Sequence, residues 1–365
     1  MTPAGWRKTT WGALVDLRYG KALRGYRDGA GPVAVFGTNG PVGFTATPQV
    51  KGPGVIVGRK GAYRGVHYSP GDFWAIDTAF YVAPKEPMCM RWVYYALQLA
   101  DINGMDSGSA IPSTTRESFA GLSASAPPVA EQQAIAEVLG ALDDKIAANI
   151  ALADSAEAFI GVAFDAAVRA GSREEALLDE LRIEFGEPFA GSEFSEPGVG
   201  RPLIRIRDLK SFESQVWTTE TRTKETVVSP GDVLVGMDAE FRPTAWLGAQ
   251  GLLNQRVLRA SHVSYGRALV RELLKRPLAE IEGEKSATTV IHLNKADLAR
   301  KSVRVPSVEA TSNFEAVAEP LYQTRVALAA ENRSLAATRD ALLPQLMSGK
   351  LRVRDAEKLV ADAGA

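Results

Sequence analysis

The stretch PPVAEQQAIAEVLGALDDKIAANIALAD, residues 127–154, decides the fold. Apolar residues within and just beyond it recur at alternating spacings of four and three, which is the heptad pattern of a helix that packs against another helix. The pattern continues past the quoted stretch, with one polar interruption at Asn149. Its positions are Ile135, Leu139, Leu142, Ile146, Asn149, Ala153, Ala156, Ile160 and Ala163. The spacing therefore predicts one long helix, from about residue 131 to 168.

A second heptad pattern lies near the end of the chain. Large apolar residues recur there at every seventh position, and Asn332 is among the residues between them. The repeating positions are Phe314, Leu321, Leu328, Leu335 and Leu342. Two helices of similar length favour mutual pairing, with Asn149 opposite Asn332 fixing the register. The alternative is that they are two arms of an ordinary helix bundle.

The segments outside the helices form an internal repeat, a feature to look for before any motif. PGVIVGRKGAYRG at 53–65 parallels PGDVLVGMDAEFRP at 230–243, and GPVAVF at 31–36 parallels RPLIRI at 201–206. IPSTTRESFAGLSASAPP at 111–128 parallels IHLNKADLARKSVRVPS at 291–307. Short apolar runs broken by Gly and Pro predict two β-rich globules, so the fold class is α+β.

Charge is segregated along the chain in step with this repeat. The net charge is −1 over 365 residues, yet residues 1–130 carry +5 and residues 201–305 carry +6. Residues 131–170 carry −5 and residues 171–200 carry −6. Two basic globules alternating with acidic segments are typical of a protein that binds a polyanion at two places.

Several classes of function are disfavoured by composition and motifs. Cys89 is the only cysteine, and His67, His262 and His292 stand far apart, which leaves little for a zinc, iron–sulfur or disulfide site. The glycine-rich turns at 36–43 and 58–65 lack the spacing of a phosphate loop. No uninterrupted apolar run approaches the ~18 residues of a membrane span, so we expect a cytoplasmic protein without a membrane partner.

Taken together, these motifs resemble the specificity (S) subunit of type I restriction–modification systems. The resemblance rests on PPVAEQQAIAEVLGALDDKIAANIALAD, PGDVLVGMDAEF and the closing ENRSLAATRDALLPQLMSGKL, and it extends from about Trp6 to Arg354. It implies a target-recognition domain at 1–128, a helix at 129–170, a second target-recognition domain at 171–305, a second helix at 306–352 and a tail at 353–365. The two helices would form an antiparallel coiled coil.

The same resemblance implies function and partners. The chain itself would be non-catalytic, would bind no cofactor and no metal, and would read a split sequence in double-stranded DNA. Methyltransferase (M) subunits, expected to be two, would bring S-adenosylmethionine and methylate adenine. A restriction (R) subunit, where present, would use ATP and Mg²⁺. Two globules carried by one rigid support would touch patches about one helical turn apart on the duplex, so the target should be bipartite with an unread gap. Because the two globules differ at their turns, the two halves should differ too, and the target should be asymmetric.

The candidate DNA-binding residues lie on the glycine-punctuated turns, where Arg, Lys, Asn, Gln, Asp and Glu suit contacts to phosphates or base edges. In the first globule they are Thr38, Asn39, Arg59, Lys60, Tyr63, Arg64, Ser113, Thr114, Thr115 and Arg116. In the second they are Asp238, Glu240, Arg242, Asn254, Gln255, Arg256, Asn294, Lys295, Arg300 and Lys301.

Two alternatives stay open at this point. Asp238 and Glu240 could belong to a metal-dependent nuclease, which needs further carboxylates. The chain could instead be a coiled-coil adaptor whose globules bind protein. Against the nuclease, the repeat places Arg59 and Lys60 where Met237 and Asp238 stand, and a shared metal site would not tolerate that exchange.

Overall fold

The computed structural model describes residues 5–105, 112–285, 291–362 and 364. The chain forms two compact units: unit 1 comprises residues 1–146 and 334–365, and unit 2 comprises residues 147–333. The boundary crosses both long helices, so each helix contributes one part to each unit. The four-segment division into recognition domains and helices remains a prediction.

The helices are α1 (Trp11–Leu14), α2 (Met90–Gln98), α3 (Arg116–Gly121), α4 (Val129–Ala170), α5 (Leu177–Glu180), α6 (Asp208–Ser211), α7 (Arg267–Lys285), α8 (Lys295–Ala299), α9 (Val308–Met347) and α10 (Val353–Asp362), with a short 3₁₀ helix at Gly191–Glu193. The first nine strands are β1 (Arg7–Thr10), β2 (Val15–Tyr19), β3 (Val33–Gly37), β4 (Gly40–Thr45), β5 (Gly54–Gly58), β6 (Val66–Ser69), β7 (Phe73–Ala75), β8 (Ala79–Pro84) and β9 (Ser123–Ala126). The others are β10 (Ser172–Ala176), β11 (Arg182–Phe185), β12 (Phe194–Ser195), β13 (Arg201–Ile204), β14 (Trp217–Thr218), β15 (Val227–Val228), β16 (Val233–Gly236), β17 (Pro243–Ala245), β18 (Gly251–Leu253), β19 (Val257–Ser261) and β20 (Ser302–Pro306).

Unit 1 is built on a four-stranded antiparallel sheet in the order β2-β8-β5-β6, beside a three-stranded sheet β4-β3-β7 and the pair β1-β9. Helix α2 packs against β5 and β6, and its Trp92 lies in the main core. The first part of α4 and the last part of α9 complete this core, because their apolar positions are buried in it. Helix α10, predicted as a tail, also packs here through Ala356 and Val360.

Unit 2 repeats the central sheet of unit 1. Its strands β11-β19-β16-β17 form a four-stranded antiparallel sheet, flanked by the sheet β12-β14-β13-β18-β15 and the pair β10-β20. The register is matched as well: Gly58 pairs with Ala79 in unit 1, and Gly236 pairs with Val257 in unit 2. The internal repeat read from the sequence is therefore a repeat of structure.

The long helices pair antiparallel within each unit. In unit 2, Asn149 Nδ2 donates to Asn332 Oδ1 at 2.9 Å, and the rings of Phe164 and Phe314 lie 5.8 Å apart. In unit 1, Arg339 Nη1 donates to Asp143 Oδ1 at 2.7 Å. As residue numbers increase along α4, the numbers of the facing residues on α9 decrease. The expected α+β class with two long paired helices is confirmed.

The buried face of the helices departs from the strict heptad in one stretch. Ile135, Leu139, Leu142, Asn149, Phe314, Leu335 and Leu342 are buried as expected, and Ile146 and Asn332 are partly buried. Leu321 and Leu328, however, are only partly buried, whereas Ala318 and Tyr322 are fully buried. The reason is that this part of α9 also packs on the globule, where the Tyr322 hydroxyl donates to the Gly231 carbonyl at 2.8 Å.

Among the described residues, α4 is the one helix that is long and apolar enough to cross a membrane by length and composition. A single helix of this kind is weak evidence for a span. Glu157, midway along it, forms ion pairs with Arg271 and Arg325 of unit 2. A carboxylate held in this way shows that α4 packs against protein at this point.

Candidate nucleic-acid interface

In each unit three segments converge at one end of the four-stranded sheet. We call them the turn cluster: residues 59–61, 77–79 and 112–116 in unit 1, and residues 237–239, 254–257 and 291–295 in unit 2. In unit 1 the first segment follows β5, the second leads into β8 and the third leads into the short helix α3. In unit 2 the corresponding elements are β16, β19 and the short helix α8. Segments far apart in sequence are thereby brought together.

The same three backbone hydrogen bonds hold both turn clusters. In unit 1, Arg59 N–H donates to Thr78 O at 3.0 Å, Thr114 N–H to Arg59 O at 2.9 Å and Gly61 N–H to Pro112 O at 3.0 Å. In unit 2, Met237 N–H donates to Arg256 O at 2.9 Å, Leu293 N–H to Met237 O at 2.8 Å and Ala239 N–H to Ile291 O at 3.2 Å. The backbone is thus matched while the side chains differ.

The predicted residues of unit 1 fall into an accessible set and a buried set. Asn39, Lys60, Tyr63 and Arg116 are exposed, and Thr38, Arg59, Ser113 and Thr115 are partly exposed. Arg64 and Thr114 are buried. The Thr114 hydroxyl donates to Gly58 O at 3.1 Å, and the Thr115 hydroxyl caps α3 by accepting from Ser118 N–H at 3.0 Å.

Arg64 is a correction to the predicted DNA-binding set. Only 1% of its surface is exposed, and its guanidinium donates to the carbonyls of Gly61, Ile102, Asn103 and Met105 at 2.8–2.9 Å. Because a buried charge is costly unless it is hydrogen-bonded, these four bonds explain why an arginine is tolerated inside unit 1. Arg64 fixes the loop at 101–105 and does not reach the surface.

In unit 2 most predicted residues are accessible: Glu240, Arg242, Gln255, Arg256, Asn294, Lys295 and Arg300 are exposed, and Asp238 and Lys301 are partly exposed. Asn254 is buried and belongs to the framework, since its side-chain oxygen accepts from Gln255 N–H at 2.7 Å. Lys301 lies beyond the end of α8 and pairs with Glu280 and Glu284 on α7, away from the turn cluster.

Asp238 is held from two sides. Its Oδ1 lies 2.8 Å from His292 Nδ1, and its Oδ2 accepts from Arg256 Nη1 at 3.0 Å. Burial opposes ionisation, but the hydrogen bonds from His292 and Arg256 lower the pKa of Asp238 overall. His292 was not among the predicted DNA-binding residues. Its place in the repeated segment IHLNKADLARK was the signal in the sequence that could have identified it.

The geometry does not favour a metal site at Asp238 and Glu240. Asp238 faces an imidazole and a guanidinium, and Glu240 Oε2 lies 3.5 Å from Arg242 Nε. Nitrogen groups of histidine and arginine thus occupy the space in which a catalytic metal would need carboxylates. Within the described residues, no group of three or more His, Cys, Asp or Glu side chains is arranged to hold a metal.

This architecture defines a class of proteins that have two similar β-rich units. Each unit presents a turn cluster, and each is completed by parts of two long antiparallel helices. Comparison with known proteins indicates which family of this class the chain resembles. Residues 18–157 match the family described as Type I restriction modification DNA specificity domain. The predicted resemblance to type I specificity subunits is thereby confirmed.

Two relatives similar to this chain are described as specificity subunits. The chain is 29% identical over 180 residues to the type I restriction enzyme EcoBI specificity subunit of Escherichia coli, covering 49% of this chain and 34% of that relative. It is 24% identical over 318 residues to the MjaIX specificity subunit of Methanocaldococcus jannaschii, covering 75% of this chain and 72% of that relative.

The fold is similar to that of a type I restriction–modification S subunit from M. genitalium, with a TM-score of 0.63 and 17% identity over 93% of this chain and 96% of that chain. At this level of identity the likeness shows the fold alone. The alignment with the EcoBI subunit spans about a third of that relative's length, 34%.

Proposed function

We propose that this chain is a non-catalytic, cytoplasmic DNA-specificity subunit that reads a bipartite, asymmetric target in double-stranded DNA. The observation that carries the proposal is the duplicated turn cluster. Three matched backbone hydrogen bonds hold it in both units, while the accessible side chain of Lys60 in unit 1 stands where that of Asp238 stands in unit 2. A backbone that is the same in both units, with different side chains on it, is suited to two domains that recognise different base sequences.

The accessible predicted residues are the proposed contacts. In unit 1 they are Thr38, Asn39, Arg59, Lys60, Tyr63, Ser113, Thr115 and Arg116. In unit 2 they are Asp238, Glu240, Arg242, Gln255, Arg256, Asn294, Lys295 and Arg300, to which the geometry adds His292. With its Nδ1 held by Asp238, the imidazole of His292 is an oriented group that is well suited to hydrogen bonding at a base edge.

The proposed partners are methyltransferase (M) subunits, two in number, which supply S-adenosylmethionine for adenine methylation. A restriction (R) subunit using ATP and Mg²⁺ would complete a cleaving complex, and this chain would bind no cofactor itself. Apolar side chains on the α4 face support a protein partner, since Phe159 and Val162 are 53% and 65% exposed. Exposed apolar surface of this kind is typical of an interaction site.

The test is to express the chain with its methyltransferase partner and to map modified adenines in the host DNA by sequencing. We expect one discontinuous motif whose two halves differ. A continuous or palindromic motif would contradict the proposed two-unit reading. If the complex did not bind DNA at low salt, the specificity function itself would be wrong, because phosphate contacts should provide strong affinity there.

A further inference from the structure

Two arginines of unit 1 converge on one exposed tyrosine ring. The Cζ atom of Arg59 lies 4.9 Å from the centroid of the Tyr19 ring, and the Cζ atom of Arg116 lies 5.2 Å from it. Tyr19 is 49% exposed, so the group lies at the surface. Arginines near an aromatic face at these distances are in the range of cation–π attraction.

The fold explains how the three side chains meet. Tyr19 ends β2 opposite Phe80 on β8, and their rings lie 4.9 Å apart. Arg59 follows β5, the strand on the other side of β8, and Arg116 is the first residue of α3. The arginine Arg59 is also tethered, because its Nη1 donates to Asp77 O at 2.9 Å. The cluster is therefore held in place by the central sheet.

The charge of this cluster is not neutralised within the described parts of the chain. Neither Arg59 nor Arg116 forms an ion pair with a described carboxylate, although many arginines of unit 2, such as Arg256, Arg259 and Arg271, do. Two like charges on one ring repel each other, and an anion placed between or beside them relieves that repulsion. The guanidinium group has the fork geometry that matches phosphate.

Unit 2 does not repeat this arrangement. The position of Tyr19 is taken by Phe185, which pairs with Leu258 as Tyr19 pairs with Phe80. Met237 stands in place of Arg59, and Lys295 begins the short helix in place of Arg116. One cation thus remains where unit 1 has two, so the cluster is a property of unit 1 and not of the shared framework.

We propose that Tyr19, Arg59 and Arg116 form a phosphate-binding site that takes a backbone phosphate of the DNA half-site read by unit 1. This inference rests on the proposed function and deepens it. The ring of Tyr19 holds the guanidinium groups in place before DNA arrives, which reduces the entropy lost on binding. Because a phosphate contact carries no sequence information, the site sets affinity and register and leaves the recognised bases unchanged.

The experiment measures DNA affinity of the chain in complex with its methyltransferase partner over a series of salt concentrations. Arg59→Ala and Arg116→Ala should each weaken binding on the order of tenfold at low salt. Each should also reduce the slope of log affinity against log salt by about 1. Tyr19→Leu should weaken binding in the same direction, and Tyr19→Phe, which keeps the ring, should restore it.

Lys51→Ala is the matched control, because Lys51 is a cation of unit 1 outside the cluster that pairs with Asp72. It should leave affinity and slope near the wild-type values. Thermal unfolding of each variant shows whether it is folded. The proposal is overturned if folded Arg59 and Arg116 variants keep the wild-type slope, or if they change the methylated sequence, which would indicate base reading. In both cases the proposed function stands, because it is tested separately by the DNA binding and the methylated motif of the wild-type complex.

Discussion

Asp238 and His292 form one hydrogen-bonded pair, so their contributions to DNA binding should be coupled. The 2.8 Å contact between Asp238 Oδ1 and His292 Nδ1 orients the imidazole that we propose as the reading group. We predict that His292→Ala and Asp238→Asn each weaken specific binding about tenfold, within the range of a lost base contact. The double variant should lose little more than either single variant.

The measurement for this pair is a double-mutant cycle on DNA affinity. Non-additivity of about 1 kcal/mol is expected for residues in direct contact. Glu240→Gln combined with His292→Ala is the control for coupling. Glu240 lies on the same turn but pairs with Arg242 and not with His292, so the effects of these two substitutions should add. Additive losses at Asp238 and His292 would show that the carboxylate contacts DNA independently.

Arg64 should behave as a structural residue in spite of its position in the GRKGAYRG turn. Arg64→Met keeps much of the side-chain volume but leaves the carbonyls of Gly61, Ile102, Asn103 and Met105 without their donor. Buried acceptors that lose their donors are costly, and we expect the free energy of unfolding to fall by about 3 kcal/mol. Chemical denaturation measures this loss. A stable Arg64→Met variant with weakened DNA binding would contradict the structural role.

At the scale of elements, Glu157 joins α4 to α7 and α9. Its Oε2 accepts from Arg271 Nη1 at 2.7 Å and lies 2.8 Å from Arg325 Nη1. Burial raises the pKa of Glu157, but the opposing effect of Arg271, Arg325 and Lys275 is larger in sum, so the pKa lies below its ordinary value. The carboxylate is therefore ionised in the folded protein wherever unfolded Glu is ionised.

We predict that Glu157→Gln lowers the free energy of unfolding by on the order of 2 kcal/mol at neutral pH. Since the folded pKa is lowered, the stabilisation is fully present above the ordinary pKa of Glu, about 4.3, and is lost as the pH falls through the folded value. Thermal unfolding of wild type and variant between about pH 3 and 7 should show two curves that converge in acid. If the wild-type and variant curves stayed parallel down to acidic pH, the ion pairs of Glu157 would be excluded as the source of the stability difference.

The helices were predictable because a heptad pattern depends only on local spacing, and Asn149 facing Asn332 follows from it. The repeat was predictable for a similar reason, since matched glycines and strands recur at nearly constant offset. The burial of Arg64 and the incomplete burial of Leu321 and Leu328 were not predictable. They depend on which surface a distant segment covers. The role proposed for His292 became visible only from its hydrogen bond to Asp238, a residue that lies 54 positions away in the sequence.

At the scale of the whole molecule, one framework is used twice with different side chains. The three backbone hydrogen bonds of the turn cluster do not involve side chains, so substitutions at the accessible positions Lys60 and Asp238 need not disturb the fold. This separates the stability of each unit from its proposed specificity. Recognition could then diverge in one unit while the other is unchanged, and an asymmetric target is the expected result.

The independence of the two units gives a final prediction. Lys60→Ala in unit 1 should relax the methylated motif in one half only, and His292→Ala in unit 2 should relax it in the other half only, since each lost base contact costs about 1–3 kcal/mol at one position. Sequencing of modified adenines in cells that carry each variant with the methyltransferase partner measures both halves at once. Combining the two substitutions should relax both halves without altering the gap. If either single variant changed both halves, or if both variants changed the same half, the assignment of one half-site to each unit would be wrong.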